Sequence, residues 1–135
     1  MRDPNRDHSH GRVYRVTYKG RPLVKPAKMK GKPIAEVCEN FFAREKSTRY
    51  RARLELSGRK MDEIKTAVGA YAAKLSPAKD SKDRNEAQAL LECLWVFEEQ
   101  RIPNLDLLKK VFQAKEARVR AAAIRTLGHW AGKVK

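Results

Sequence analysis

The chain has 135 residues, is 41% hydrophobic and 35% charged, and carries a formal net charge of +15. That length supports one domain with a real core and excludes a core plus a second independent domain. No run approaches the roughly 20 apolar residues that cross a bilayer, and the polar start from Met1 to Ser9 lacks a signal peptide's apolar run, so neither membrane insertion nor an export signal is expected.

Asp7-His8-Ser9-His10-Gly11 reads as a turn. Arg12-Val13-Tyr14-Arg15-Val16-Thr17-Tyr18 then reads as a short β-strand, β-branched and aromatic, with Tyr14, Val16 and Tyr18 on one face. The chain offers this strand no obvious partner, so it either pairs with something outside the chain or stays loosely ordered. Lys19 to Pro33 brings three prolines, two glycines and six Lys or Arg, the composition of an extended basic linker that cannot fold alone. Residues 1–33 thus form an N-terminal segment ahead of a helical domain over residues 34–135. That segment holds ten Lys and Arg against two Asp, so a quarter of the chain carries half the excess charge, which draws anionic partners of any kind.

From Ile34 the apolar period becomes helical. Ile34, Val37, Cys38 and Phe41 share the face of a first helix that starts just after Pro33. Ser47 or Thr48 is placed to cap a second helix with Tyr50, Leu54 and Leu56 inward, which Gly58 ends by tolerating positive φ. A third helix is expected over about Lys60 to Leu75, with Ile64, Val68, Tyr71 and Leu75 inward. The fourth, about Asp83 to Gln100, is the most apolar, with Ala87, Leu90, Leu91, Leu94 and Trp95 in a stripe that Val96 and Phe97 widen, and it should centre the core. Asn104 caps a short fifth helix with Leu105, Leu108, Val111 and Phe112 inward. The sixth, about Glu116 to Ala131, turns Val119, Ala123, Leu127 and Trp130 to one side and Arg118 and Arg125 to the other.

Two stretches 69 residues apart look alike: Thr48-Arg49-Tyr50-Arg51-Ala52-Arg53 and Ala117-Arg118-Val119-Arg120-Ala121-Ala122. Each opens the second helix of a pair, which divides the chain into about three antiparallel helix pairs, stacked because none can bury its apolar face alone. The competing reading is an irregular helical bundle with two chance Arg-rich helix starts. Glu116-Ala117-Arg118-Val119-Arg120-Ala121-Ala122-Ala123-Ile124-Arg125-Thr126-Leu127-Gly128 resembles the second helix of HEAT repeats, in which an Arg near the start packs at the repeat junction. With Asn85-Glu86-Ala87-Gln88-Ala89-Leu90-Leu91-Glu92-Cys93-Leu94-Trp95, it is similar to the HEAT-like region of large bacterial membrane-bound dehydrogenases. In that family a seven-bladed β-propeller precedes the repeats and a c-type haem domain follows them.

The N-terminal Arg2-Asp3-Pro4-Asn5-Arg6-Asp7-His8-Ser9-His10-Gly11-Arg12-Val13-Tyr14-Arg15-Val16 resembles the end of such a propeller, where the chain leaves for the repeats. The resemblance implies an all-α, HEAT-like stack preceded by a propeller-end strand, propeller and cytochrome c domains as partners, and a periplasmic or cell-envelope location. It assigns no haem to this chain, because the family's CxxCH motif lies in a separate domain and is absent here.

Cys38 and Cys93 lie on separate apolar faces with no second Cys or His at ligand spacing, which predicts two buried thiols and no zinc site. His8 and His10, with Asp3 and Asp7 nearby, have metal-ligand chemistry but no third fixed ligand, so a polar turn is the preferred reading. His129 beside Trp130 reads as a helix-end or packing residue. Glu98 and Glu99 read as solvated. No Ser-His-Asp or Cys-His order and no Gly-rich phosphate loop is present, so no catalytic residue and no cofactor are expected. What remains is a non-catalytic scaffold or interaction module. The alternative is a nucleic-acid-binding repeat protein in which Arg49, Arg51, Arg53, Arg118, Arg120 and Arg125 align into a stripe along a phosphate backbone. Those six arginines are the candidate anion or partner contacts under either reading.

Overall fold

With its apolar residues recurring at helical spacing, the chain beyond Pro33 is mostly helical in the computed structural model. The structure describes Ser9, Gly11 and residues 13–20, 22–78, 80–81 and 84–133. Helix α1 (Ile34–Cys38) runs directly into a 3₁₀ turn (Glu39–Phe42) and is followed by α2 (Lys46–Ser57) and α3 (Met61–Ala73). Two-residue antiparallel strands β1 (Asp80–Ser81) and β2 (Arg84–Asn85) form a hairpin before α4 (Glu86–Glu99), α5 (Leu105–Phe112) and α6 (Ala117–Trp130). His8, His10, Asp3 and Asp7 lie outside the described residues, as do Arg12 at the head of the expected strand and Asp83 at the expected start of the fourth helix.

Helix α4 is the centre of the core. It packs against α2, α3, α5, α6 and the 3₁₀ turn, and Ala87, Leu90, Leu91, Leu94, Val96 and Phe97 are all buried. A helix apolar over most of its circumference has this as its stable position, since every face must be covered. It begins at Glu86, later than expected, because residues 84–85 are held in the hairpin. The Asn85 side chain accepts from the Gln88 N–H at 2.7 Å, and Asn104 caps α5 in the same way, as expected, accepting from the Leu107 N–H at 3.0 Å. Helix α4 closes with Ile102 N–H on the Phe97 carbonyl and Arg101 N–H on that of Glu98, both at 2.9 Å, which places Arg101 at φ 58°. This is a Schellman closure with arginine where glycine is usual.

Several expectations about α2 and α6 are corrected. Ser47 and Thr48 do not cap α2: the helix starts earlier, after Glu45, so both already occupy helical positions. Gly58 ends α2 at φ −82°, without using its left-handed freedom; the Ser57 carbonyl instead receives the Gln100 side-chain amide at 3.0 Å. The inward face of α2 is Ala52 and Leu56, while Tyr50 and Leu54 are each 49% exposed. In α6, Val119, Ala123 and Trp130 are buried as expected, but Thr126 is buried in place of Leu127. The third helix, in contrast, buries Ile64, Val68 and Tyr71 as its spacing predicts; it ends at Ala73, short of the expected Leu75, which is buried beyond the helix end, and Cys38 and Cys93 are buried free thiols.

The internal similarity survives in a different register. Helices α2 and α6 both follow a glutamate, Glu45 or Glu116, at φ −73° and ψ 116°. Arg49 then donates back to the carbonyls of Ala43 and Arg44, at 2.6 and 2.9 Å, and Arg120 to those of Ala114 and Lys115, both at 2.7 Å. Arg49 therefore corresponds to Arg120 rather than to Arg118, an offset of two residues from the sequence pairing. In this register Ala52 falls on Ala123, both fully buried, and Leu56 on Leu127.

The expected β-strand at the N-terminus is absent: residues 13–18 carry no regular structure, and Val16, Tyr14 and Tyr18 are 97%, 77% and 73% exposed. Among the described residues no strand lies beside them, and an isolated strand cannot satisfy its backbone. The end of the basic linker, by contrast, is docked. Met29 joins the core, Lys32 N–H closes a turn on the Met29 carbonyl at 3.1 Å, and Arg59 donates to the Lys32 carbonyl at 3.1 Å. The packed body therefore reaches back to Ala27.

Leu56 and Leu127 hold equivalent helical positions at opposite exposures. Leu56→Ala should cost about 2–5 kcal/mol in urea unfolding, whereas Leu127→Ala should cost less than about 1 kcal/mol; equal losses would contradict the burial pattern.

Candidate functional site

Helices α2, α4 and α6 border an open groove of about 890 Å³. Helix α4 supplies Gln88, Glu92, Trp95, Glu98 and Glu99, and it packs against both α2 and α6. Among the described residues this groove holds the densest set of interacting polar groups.

Its centre is Glu92, a carboxylate only 2% exposed within the most apolar helix of the chain. A buried carboxylate is costly unless paired and hydrogen-bonded. Glu92 accepts from Arg49 Nε at 3.0 Å, from Arg53 Nη1 on its other oxygen, and from Gln88 Nε2 at 2.8 Å. Arg53 reaches on to Glu99 at 2.9 Å and lies over two rings, with its guanidinium carbon 4.9 Å from the centroid of Trp95 and 5.6 Å from that of Tyr50. Arg49 uses its remaining donors on the Ala43 and Arg44 carbonyls. The spacing of Arg49 and Arg53, one helical turn apart, is what lets both converge on one acid.

On the α6 side, Glu98 accepts from Thr126 Oγ1 at 2.6 Å and contacts His129 Nδ1. His129 is thus a groove-rim residue in a polar pair. Glu98 and Glu99, expected to be solvated, are both engaged, because α6 and α2 bring partners to them. Glu116 accepts from Arg118 at 2.9 and 2.5 Å and from Asn85 at 3.3 Å. The Arg118 hydrogen bonds hold the Glu116 carboxyl below its ordinary range against a smaller opposing effect of burial.

The six candidate arginines do not form one stripe. Arg49, Arg53, Arg118 and Arg125 line the groove. Arg51 borders a second concavity, with Lys28, Met29, Lys30 and Leu54. Arg120 is folded back onto the carbonyls of its own helix entry. Of the four in the groove, Arg49 and Arg53 are joined to Glu92, Arg118 is tied to Glu116, and Arg125 is exposed with no carboxylate partner among the described residues. Glu92 was the residue that helical spacing alone missed; its signal was a lone acid inside Leu90-Leu91-Glu92-Cys93-Leu94 facing two arginines at i, i+4.

Among the described residues no group of three or more His, Cys, Asp or Glu could hold a metal ion, and no helix is long and apolar enough to cross a membrane. Burial raises the Cys38 thiol from 9.0 to about 12, with Glu39 adding to the effect, and burial raises Cys93 well above 9.0. Tyr71 is also raised, first by burial and then by donating its hydroxyl to Glu39 at 3.0 Å. No protein-family model matches the chain, and neither a curated protein nor a solved structure matches it.

Two outcomes follow from these contacts. Glu92→Gln, which leaves two arginines facing one neutral group, should lower unfolding free energy by about 3 kcal/mol, while Arg118→Ala at the exposed rim should leave it unchanged within error; a tolerated Glu92→Gln would remove the clamp's structural role. At alkaline pH the unfolded chain releases thiol protons that the native chain retains, so the thiols' contribution to stability should be constant below about pH 9 and fall as pH rises toward 12. A urea midpoint measured in steps across that range, with Cys38→Ala flattening the fall, checks the sign.

Proposed function

We propose that this chain is a non-catalytic docking module, a HEAT-like stack of three helix pairs whose α2–α4–α6 groove receives a segment of a protein partner. The observation that carries this reading is the groove itself: it is open, lined by the second helix of every pair, and its inner polar groups are consumed by one another. Groups locked in mutual ion pairs shape a surface and leave no free acid, base or nucleophile in position for chemistry. The repeat-like stacking is supported by contacts of two kinds, within pairs (α1 with α2, α3 with α4, α5 with α6) and between like members of successive pairs (α1 with α3, α2 with α4, α4 with α6). The matching entries of α2 and α6 support it further. These are the contacts of units that bury their faces on neighbours.

The exposed, β-prone segment 13–18 supports a second attachment, a strand added to the open sheet edge of a neighbouring domain. In the dehydrogenase family that the sequence resembles, that domain is the propeller, and the module spaces it from the haem-bearing part. A phosphate-tracking arginine stripe has less to stand on, since Arg51 and Arg120 face away from the groove and Arg49 and Arg53 are already neutralised.

A photo-crosslinking residue placed at Tyr50, on the groove, should trap a protein partner in the expressing cell, and the same residue at Met61, exposed outside the groove, should not. Equal capture from both positions, or capture of nucleic acid from Tyr50, would replace this reading.

A further inference from the structure

The charges in the groove do not cancel evenly, and the remainder has one sign. Glu92 is held by Arg49, Arg53 and Gln88, Glu99 by Arg53, Glu98 by Thr126 and His129, and Glu116 by Arg118 and Asn85. Every carboxylate that lines the groove therefore already has a donor. Two cations remain over: Lys46, at the head of α2, and Arg125, on α6, both line the groove and are exposed, and neither side chain has an ion-pair or hydrogen-bond partner among the described residues. Between their helices lies α4, whose Trp95 ring, with Tyr50 of α2, gives the groove aromatic surface.

We propose that the groove's occupant is an acidic peptide segment of a partner protein, which lays an apolar side chain on Tyr50 and Trp95 and directs carboxylates to Lys46 and Arg125. This rests on the docking reading above and names the chemistry of its partner. A basic segment is less favoured, because of the groove's four carboxylates only Glu98 lacks a Lys or Arg partner, and at the others it would have to displace arginines from acids they already hold. A nucleic-acid strand fits less well than a peptide, since its evenly repeated phosphates would pass Glu98 and Glu99 while finding only two unpaired cations; a peptide places its few charges where the cations stand. The net charge of +15 acts in the same direction at longer range, drawing acidic surfaces toward the chain.

The test is selection of a random short-peptide library, displayed on phage, against the full chain. Groove-directed peptides, identified by loss of binding to Tyr50→Ala, should carry an excess of Asp and Glu around an apolar or aromatic residue. Their affinity should fall roughly tenfold on the double variant Lys46→Glu, Arg125→Glu and recover when the peptide's acids are changed to Lys. Both substituted residues are exposed, and an unchanged circular dichroism spectrum confirms that the variant folds. Groove-directed peptides without an acidic excess, or indifferent to the double variant, overturn the acidic partner and leave the docking reading standing. Failure to obtain any groove-directed peptide overturns both. A single-stranded oligonucleotide that competes for the groove more tightly than every selected peptide assigns the site to nucleic acid and overturns the proposal.

Discussion

A carboxylate buried in the most apolar helix of the chain organises what surrounds it. Counted from the residue that precedes each helix, Glu92 falls at the step that Ala52 holds in α2 and Ala123 in α6, so α4 carries a charge where the other two are small and apolar. Moving such a group out of water costs several kcal/mol, and the cost is met only if cations arrive with the right geometry. Arg49 and Arg53 arrive from α2, and Gln88 from one turn back along α4. The azimuth of α2 about its own axis is thereby set: the arginines turn toward α4, Ala52 and Leu56 turn into the core, and Tyr50 and Leu54 are left outside. The same rotation places Arg53 between Tyr50 and Trp95 and so gives the groove its aromatic surface.

The remaining elements hold one another at their ends. Helix α1 has five residues and α5 has eight, lengths at which an isolated helix is not stable in water. Their stability comes from neighbours. Lys110 of α5 donates to the carbonyls of Ala72 and Ala73 at 2.9 and 3.0 Å, which completes the last turn of α3 and joins it to α5. Gln100, just beyond α4, does the same for Ser57 at the end of α2. Among the described residues one buried side-chain donor goes without a partner: Trp130, almost fully buried, has an unbonded indole N–H, and its ring packing must outweigh that loss.

The strong basicity of the chain is divided by the fold into two kinds of charge. Within the helical body Arg49, Arg53, Arg59, Arg118 and Arg120 are bound to carboxylates or carbonyls and act as structural ties. Around it, Lys28, Lys30 and Arg51 border a concavity whose one carboxylate, Glu55, already receives Arg59 at 2.7 Å and the Gly31 N–H at 3.4 Å. Lys46 and Arg125 complete the unengaged set at the main groove. Net charge thus misrepresents what a partner meets, since arginines paired with carboxylates present little net field outward while these exposed cations present all of theirs.

Helical period was legible along the chain because it depends on which residues must leave water: α3 and the stripe of α4 follow their spacing, Asn104 caps α5 where a side-chain oxygen can meet the free N–H groups, and both cysteines are buried. What periodicity could not reach was the rotation of α2 and α6, where two faces have similar apolar content. Tyr50 and Leu127 went outward because contacts from α4, distant in sequence, outweighed local spacing. The pairing of Arg49 with Arg118 failed for the same reason: short Arg-rich stretches slide over one another, and only the hydrogen bonds to Ala43 and Ala114 decide the register. The strand at 13–18 failed differently, since β-propensity names a residue's preference and a ladder needs a second edge. Sequence alone determined that this is a helical, basic chain with its core on the fourth helix, because burial and helix capping are local demands. Tertiary structure decided that Glu92 would be buried, which arginines it would hold and which cations would be left facing the groove, because an ion pair exists only where folding brings two distant charges within reach.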